Sequence, residues 1–265
     1  MSLDDFDVRG RVAFVTGAGR GIGAGVAHVL AEAGCEVVVN ARTPQYVEPL
    51  VSRIAADTGV PARALIADMT DPAEVDRAVR SVIAESGRLD ILVNAVGDAI
   101  PRSLVPLPDR LGSGAEGLSD DDFELTLGLN LKAAVLACRA AGSHMLERRS
   151  GVVVNIGSAT AFRGGAGLTI YTAGKAGLRG FTQALALEWA PYGVRVNTIA
   201  AGSFPDPVTA GDEGYRRAVE RAKERIPLQR IGATREVGLL ALYLASPAAA
   251  YLTGQTIVLD GGATL

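Results

Sequence analysis

At 265 residues, 48% hydrophobic and 21% charged, the chain has material for a sizeable buried core, which excludes global disorder. A net charge of −3 from 26 basic and 29 acidic residues excludes a strongly basic nucleic-acid surface. Two cysteines (Cys35, Cys138) and two histidines (His28, His144) are too few for a disulfide framework, a zinc spacing or a His-rich metal site, so no metal is expected. The opening Met1-Ser2-Leu3-Asp4-Asp5 is acidic where a secretory leader is basic and then apolar, so a cytoplasmic location is expected.

Short apolar runs alternate with stretches of helical spacing. The strands predicted in chain order are Val12–Thr16, Glu36–Asn40, Ala64–Ala67, Ile91–Asn94, Val152–Ile156, Arg195–Ile199 and Thr256–Leu259. Continuous apolar strands joined by crossover helices predict a parallel sheet covered on both faces. The expectation is therefore an α/β, single-domain Rossmann fold over residues 1–265, doubly wound on seven parallel strands. Pro72–Ser86 reads as a helix with Asp71 as N-cap, Pro72 at its first position and Glu74 completing a capping box. Asp98–Leu118, rich in Pro and Gly, reads as a long loop ending at a second capping box, Ser119 with Asp122, stapled by Leu118 and Phe123. Ala200–Gly214 reads as a second loop, followed by a charged helical stretch to Arg225. Val237–Leu259 is uncharged over 23 residues, but Ser246-Pro247 and Thr253-Gly254-Gln255 interrupt it, so buried core is expected and no membrane span.

Thr16-Gly17-Ala18-Gly19-Arg20-Gly21-Ile22-Gly23 joins the first strand to a helix. Glycines at 17, 21 and 23 permit a tight turn and close approach to a pyrophosphate at the helix N-terminus. A fold that binds NAD usually carries an acid at the end of the second strand, whereas this strand ends Val39-Asn40-Ala41-Arg42-Thr43. Arg42 and Arg20 can instead pair with a 2′-phosphate, so NADP(H) is the preferred cofactor and NAD(H) the alternative.

Tyr171 and Lys175, four residues apart, share one helical face. With six tyrosines and only three lysines in the chain, chance would supply such a pair roughly 0.07 times. Small neighbours (Ala173, Gly174, Ala176, Gly177) would let a planar ring approach. A Lys⁺ and an oxidised nicotinamide would lower the phenol pKa from ~10 toward neutrality, fitting Tyr171 for proton exchange with a carbonyl or alcohol oxygen.

In their order along the chain these motifs resemble the short-chain dehydrogenase/reductase family from Val12 to Gly262: the glycine turn, Asp68, Asn94-Ala95-Val96-Gly97, Asn130, Ser158, then Tyr171 and Lys175. The resemblance implies roles. Tyr171 is the general acid/base, Ser158 holds the substrate oxygen, and Lys175 binds the nicotinamide ribose and lowers the Tyr171 pKa. Asn130 holds a relay water. Asp68 and Met69 meet the adenine, Asn94, Ala95 and Gly97 line the adenosine side, and Gly202 with the backbone near Phe204 lies by the carboxamide. Together with Gly17, Arg20, Gly21, Ile22, Gly23, Ala41 and Arg42 these form the expected site.

Three departures stand out. Asn94-Ala95-Val96-Gly97 replaces Asn-Asn-Ala-Gly, Ala201-Gly202 replaces Pro-Gly, and Asp206 stands where a hydroxyl residue is usual. The resemblance also makes the loop from Gly97 to Asn130 about ten residues longer than in most members. The implied activity is NADPH-dependent reduction of a carbonyl, similar to the 3-oxoacyl-(acyl-carrier-protein) reductase branch, in a homotetramer. An acyl carrier protein is a possible partner through Arg148 and Arg149. The alternatives are an NAD(P)-dependent dehydrogenase of a secondary alcohol, polyol or steroid-like substrate, or a non-catalytic NADP-sensing protein. Substrate-binding loops are expected at 98–118 and 200–225.

Overall fold

The computed structural model describes residues 4–108 and 116–265. Seven strands, β1 (Val12–Thr16), β2 (Glu36–Ala41), β3 (Ala62–Ile66), β4 (Ile91–Asn94), β5 (Gly151–Ser158), β6 (Val194–Ala201) and β7 (Thr256–Leu259), form one sheet in the order β3-β2-β1-β4-β5-β6-β7. Every pairing is parallel, as the expected Rossmann fold requires. The strands are apolar on both faces because both are covered. Ala13 and Val15 of β1 point into one buried cluster with α1 (Gly21–Glu32), α2 (Pro44–Thr58) and α9 (Thr234–Ala245). Val12 and Phe14 point into the other, with α3 (Pro72–Ser86), α5 (Ala133–Glu147) and α7 (Thr169–Trp189). Burying a side chain such as Phe14 contributes roughly 1.5–3 kcal/mol.

β5 and β6 run further at both ends than their apolar runs predict, since parallel pairing from Gly151↔Val194 to Ser158↔Ala201 depends on backbone and not on side-chain polarity. β3 begins two residues early for the same reason, pairing Ala62 with Val37. The uncharged stretch 237–259 resolves into most of α9, a turn and β7. Among the described residues no helix is long and apolar enough to cross a membrane.

Caps place the helices. Asp71 accepts a hydrogen bond from Glu74 N (2.9 Å), but Glu74 turns away to accept from Asp68 N (2.7 Å), so the predicted reciprocal box is only half formed. The Ser119–Asp122 box opening α4 (Asp120–Leu127) is complete. The predicted loop Ala200–Gly214 is shorter than expected, since β6 runs to Ala201 and a helix begins at Pro207. Asp206 accepts from Val208 N (3.1 Å) and Pro207 occupies the first turn, starting α8 (Pro207–Arg225), which breaks only at Gly211 (φ 64°). An Asp-Pro pair is a helix start as well as a turn signal, and the cap geometry decides. The segment 98–108 is pinned at Arg102 N to Gly167 O (2.9 Å), and Leu118 N bonds Ser103 O (2.8 Å). Of its apolar side chains, Leu104, Val105 and Leu107 are exposed, while Leu111 lies outside the described residues.

Strand order reverses between β1 and β4, so the loops leaving their carboxyl ends diverge and open a crevice there.

Candidate active site

That crevice holds a cleft of about 610 Å³. Its floor is the turn after β1. Gly17 sits at φ 61°, and a Cβ there would lie 2.7 Å from Val96 Cα and N, so only bare backbone fits. Asn40, penultimate in β2, ties the turn down: its Oδ1 accepts from Gly17 N (3.2 Å) and its Nδ2 donates to Leu65 O (3.2 Å) and Ala67 O (3.0 Å). Sequence reading passed over Asn40, whose signal was a polar residue inside a buried apolar strand.

Gly17, Arg20, Gly21, Ile22, Gly23, Ala41, Arg42, Asp68, Met69, Ala95, Gly97, Tyr171, Lys175, Gly202 and Phe204 all line this cleft. Asn94 does not. Its buried Nδ2 donates to Asn155 Oδ1 (2.8 Å) and reaches Cys138 Sγ (3.4 Å), and Asn155 in turn bonds Thr182 (2.8 Å). At the end of β4 the alternation of side chains aims Asn94 into the core, so its expected place on the adenosine side is corrected to a strut beneath it. Arg20 is not free either: its Nε lies 3.0 Å from Asp206 Oδ2, and its guanidinium lies 5.3 Å from the Tyr46 ring centre. Arg42 is exposed at the cleft rim. Asp68 Oδ1 accepts from Thr70 N (2.8 Å) and Oγ1 (2.7 Å). Burial alone would raise its pKa, but these bonds and the charges of Arg42 and Lys132 hold it below the ordinary carboxylate value.

The other end of the cleft gathers the remaining predicted residues. Tyr171 and Lys175 stand one turn apart near the start of α7, with Nζ 5.8 Å from the phenol ring centre. Lys175 is 4% exposed and donates from Nζ to Ile156 O (2.9 Å). Burial pulls its pKa down to about 8. Ser158, at the last position of β5, accepts from Thr160 N (3.2 Å) and Thr160 Oγ1 (2.9 Å), where the short helix α6 (Thr160–Arg163) begins.

In the polypeptide alone the Tyr171 phenol lies above its ordinary pKa. Burial raises it, the Ser158 hydroxyl partly offsets that, and the Asp98 carboxylate adds to the rise. Lys175 is held back against Ile156 O, so the polypeptide itself does not bring the phenol toward neutrality.

Asn130 lies in a π-helical turn, Gly128–Lys132, where α4 passes into α5. Wide turns of this kind recur at functional sites because they rotate one side chain out of register. Its Nδ2 donates to Asp98 O (2.7 Å) and Thr126 O (2.9 Å), while its buried Oδ1 has no hydrogen-bond partner. A Cβ built on Gly97 would be 2.8 Å from both Asn130 Oδ1 and Lys175 Nζ, so acceptor and donor face one point across that glycine. Two of the small residues of α7 serve this packing. A Cβ on Gly174 would sit 3.2 Å from Asn130 Cβ, one on Gly177 3.2 Å from Leu131, and Ala173 and Ala176 face outward.

Arg148 and Arg149 lie just before β5 begins, at the amino ends of the strands, opposite the cleft. Arg148 pairs with Asp90 (3.3 Å), and Arg149 donates to Pro191 O (2.7 Å). Tyr171 stands beyond the other end of the sheet, near the start of α7. Among the described residues no group of three or more His, Cys, Asp or Glu is placed to hold a metal.

A family model described as enoyl-(acyl carrier protein) reductase matches residues 17–264. The chain is 37% identical to D-threitol dehydrogenase of Mycolicibacterium smegmatis, covering 100% of this chain and 97% of that protein. It is 33% identical to a 3-oxoacyl-(acyl-carrier-protein) reductase of Vibrio harveyi, covering 97% and 98%. A crystal structure of a short-chain type dehydrogenase/reductase from Mycobacterium marinum superposes with TM-score 0.87 at 30% identity, covering 99% of this chain and 98% of that one.

Proposed function

The chain belongs to the short-chain dehydrogenase/reductase family, NAD(P)-dependent oxidoreductases that interconvert carbonyls and alcohols; from that premise we propose that it is an NADP(H)-dependent reductase of a carbonyl compound. The observation that carries this reading is the meeting of Tyr171 and Lys175 at one end of the cleft, with Ser158 hydrogen-bonded to the Tyr171 phenol and the unpartnered Asn130 Oδ1 behind them.

The residues present fit a dinucleotide. The bare backbone at Gly17 and the N-terminus of α1 suit a pyrophosphate, and no acid stands at the end of β2 to repel a 2′-phosphate. In this reading Gly17, Gly21, Ile22 and Gly23 hold the pyrophosphate, and Arg42 with Ala41 holds the 2′-phosphate. Asp68 and Met69 meet the adenine, and Ala95 and Gly97 lie along the middle. Lys175 and Tyr171 meet the nicotinamide ribose, while Gly202 and Phe204 border the carboxamide. When bound, this cofactor supplies the hydride.

The chain's own work is proton transfer and positioning. Ser158 donates a hydrogen bond to the substrate oxygen and holds it toward Tyr171, whose phenol donates the proton that makes the alcohol. A phenol with a raised pKa is fully protonated at neutral pH, which suits reduction. Lys175 and Asn130 both stand against Gly97, and a water bonded to the unpartnered Asn130 Oδ1 would return a proton from solvent toward Lys175.

A second reading, oxidation of a polyol, is favoured by the 37% identity to D-threitol dehydrogenase. A 3-oxoacyl thioester belongs to the first reading, its carrier docking on the cleft face. Segments 98–108 and 203–225 would wall the substrate. Assembly as a homotetramer is proposed from large apolar side chains left in water, Leu187 (80% exposed) on α7 and Tyr251 and Leu265 at the carboxyl end. A reducing, cytoplasmic setting accords with two buried free thiols, both pushed up to about 12.

The test is NADPH oxidation against a panel of ketones, 3-oxoacyl thioesters and, in reverse, polyols. Higher kcat/KM with NADPH than with NADH is expected, and Tyr171→Phe should abolish turnover while nucleotide binding, followed by fluorescence, persists. Normal turnover by Tyr171→Phe refutes the mechanism, and equal efficiency with both cofactors refutes the cofactor assignment.

A further inference from the structure

Asp206 occupies an unusual place. It is the N-cap of α8, and its two carboxylate oxygens are divided between two tasks. Oδ1 accepts from Val208 N (3.1 Å). Oδ2 is buried, makes no hydrogen bond, and lies 3.0 Å from Arg20 Nε. The Asp206 side chain is 15% exposed and that of Arg20 41%, so the pair is partly screened from water on its acidic side. Arg20 is the residue immediately before α1, on the glycine turn, and Tyr46 lies against the guanidinium. Arg20, Tyr46 and Asp206 thus stand between the cleft and a second groove of about 760 Å³ behind the turn, lining both.

From this arrangement we infer that Asp206 is a specificity-determining residue that competes with the cofactor for Arg20. The carboxylate takes the cation that the glycine turn would offer a 2′-phosphate, so binding of a 2′-phosphorylated dinucleotide exchanges one ion pair for another. The inference rests on the proposed NADP(H) preference. Arg42, exposed at the rim, meets the 2′-phosphate first. Arg20 joins only when it leaves Asp206, and the start of α8, capped by the same carboxylate, is then freed from the glycine turn. NADP(H) affinity is thereby held below what two arginines would give, and discrimination against NAD(H) is weakened.

Asn and Ser cap helices about as well as Asp, so Asp206→Asn and Asp206→Ser remove the charge and keep the cap. Dissociation constants would be measured by calorimetry for NADPH, NADH and adenosine 2′,5′-bisphosphate, with thermal unfolding as a check on folding. A half-exposed ion pair sets the scale. Asp206→Asn should tighten NADPH and the bisphosphate by about three- to fivefold and change NADH by less than about 1.5-fold. In an Arg20→Ala background the same substitution should give no tightening, because there is no cation left to release.

Equal weakening of NADPH and NADH would overturn the inference and place Asp206 at the nicotinamide end. Unchanged affinities, or a gain that persists in the Arg20→Ala background, would overturn it as well. The cofactor reading fails separately, on tighter binding of NADH than NADPH by the unsubstituted enzyme. The bisphosphate, which carries no nicotinamide, reports on Arg20 in either case.

Discussion

Gly97→Ala tests how tightly the catalytic end is built. The added Cβ would lie 2.8 Å from Lys175 Nζ and 2.8 Å from Asn130 Oδ1. An ordinary contact is about 3.5 Å, so one or both must retreat by about 0.7 Å. Neither is free to do so. Lys175 is held by Ile156 O at 2.9 Å, and Asn130 by Asp98 O at 2.7 Å and Thr126 O at 2.9 Å. Overpacking of this kind costs about 1–2 kcal/mol, which for a chain of this size lowers Tm by a few degrees. The catalytic cost should be larger than the stability cost implies, because a displacement approaching 1 Å at a reacting group reduces rate by up to about a hundredfold. We expect kcat to fall ~10–100-fold in steady-state NADPH oxidation, with the protein still folded by circular dichroism. Unchanged kcat at lowered Tm would show that Lys175 and Asn130 need not hold their positions, and the argument for a proton relay through these two residues would fail.

Burial at Lys175 and open space at Gly180 each set a further expected outcome. Lys175 carries a folded-state pKa of about 8, below its ordinary value of 10.5. Between those values the unfolded chain binds the extra proton, so the cofactor-free protein should gain stability from this group as pH rises through 8 toward 10. Lys175→Met should remove that increment in denaturant melts taken across the window, and an identical pH profile in both proteins would contradict the burial argument. Gly180, exposed on α7 with nothing within 4 Å of an added Cβ, should tolerate Ala with a gain of about 0.5–1 kcal/mol, read as a rise in Tm, and a loss would mean that another chain covers this face.

Much of this protein is decided locally. Apolar strands between helical stretches specify a covered parallel sheet because no other arrangement buries both faces, and β1, β4 and β7 match their predicted bounds. The Ser119–Asp122 cap is legible because its bonds span three residues. Tyr171 and Lys175 are legible as a pair because helical pitch alone sets them on one face.

What tertiary structure decides is direction and competition. Asn94 has the residue type for the cleft but turns to Asn155 and Cys138, since the pleat at the end of β4 aims it inward. Arg20 has the charge for a phosphate but meets Asp206, 186 positions away along the chain, which no local pattern could pair with it. Arg148 and Arg149 sit at the sheet's far end because a helix carries the chain back from the cleft before β5 begins. Residue type sets which interactions a side chain can make. Which one it makes depends on the neighbours that folding brings within a few ångströms, and here those neighbours come from strands, helices and helix caps remote in sequence.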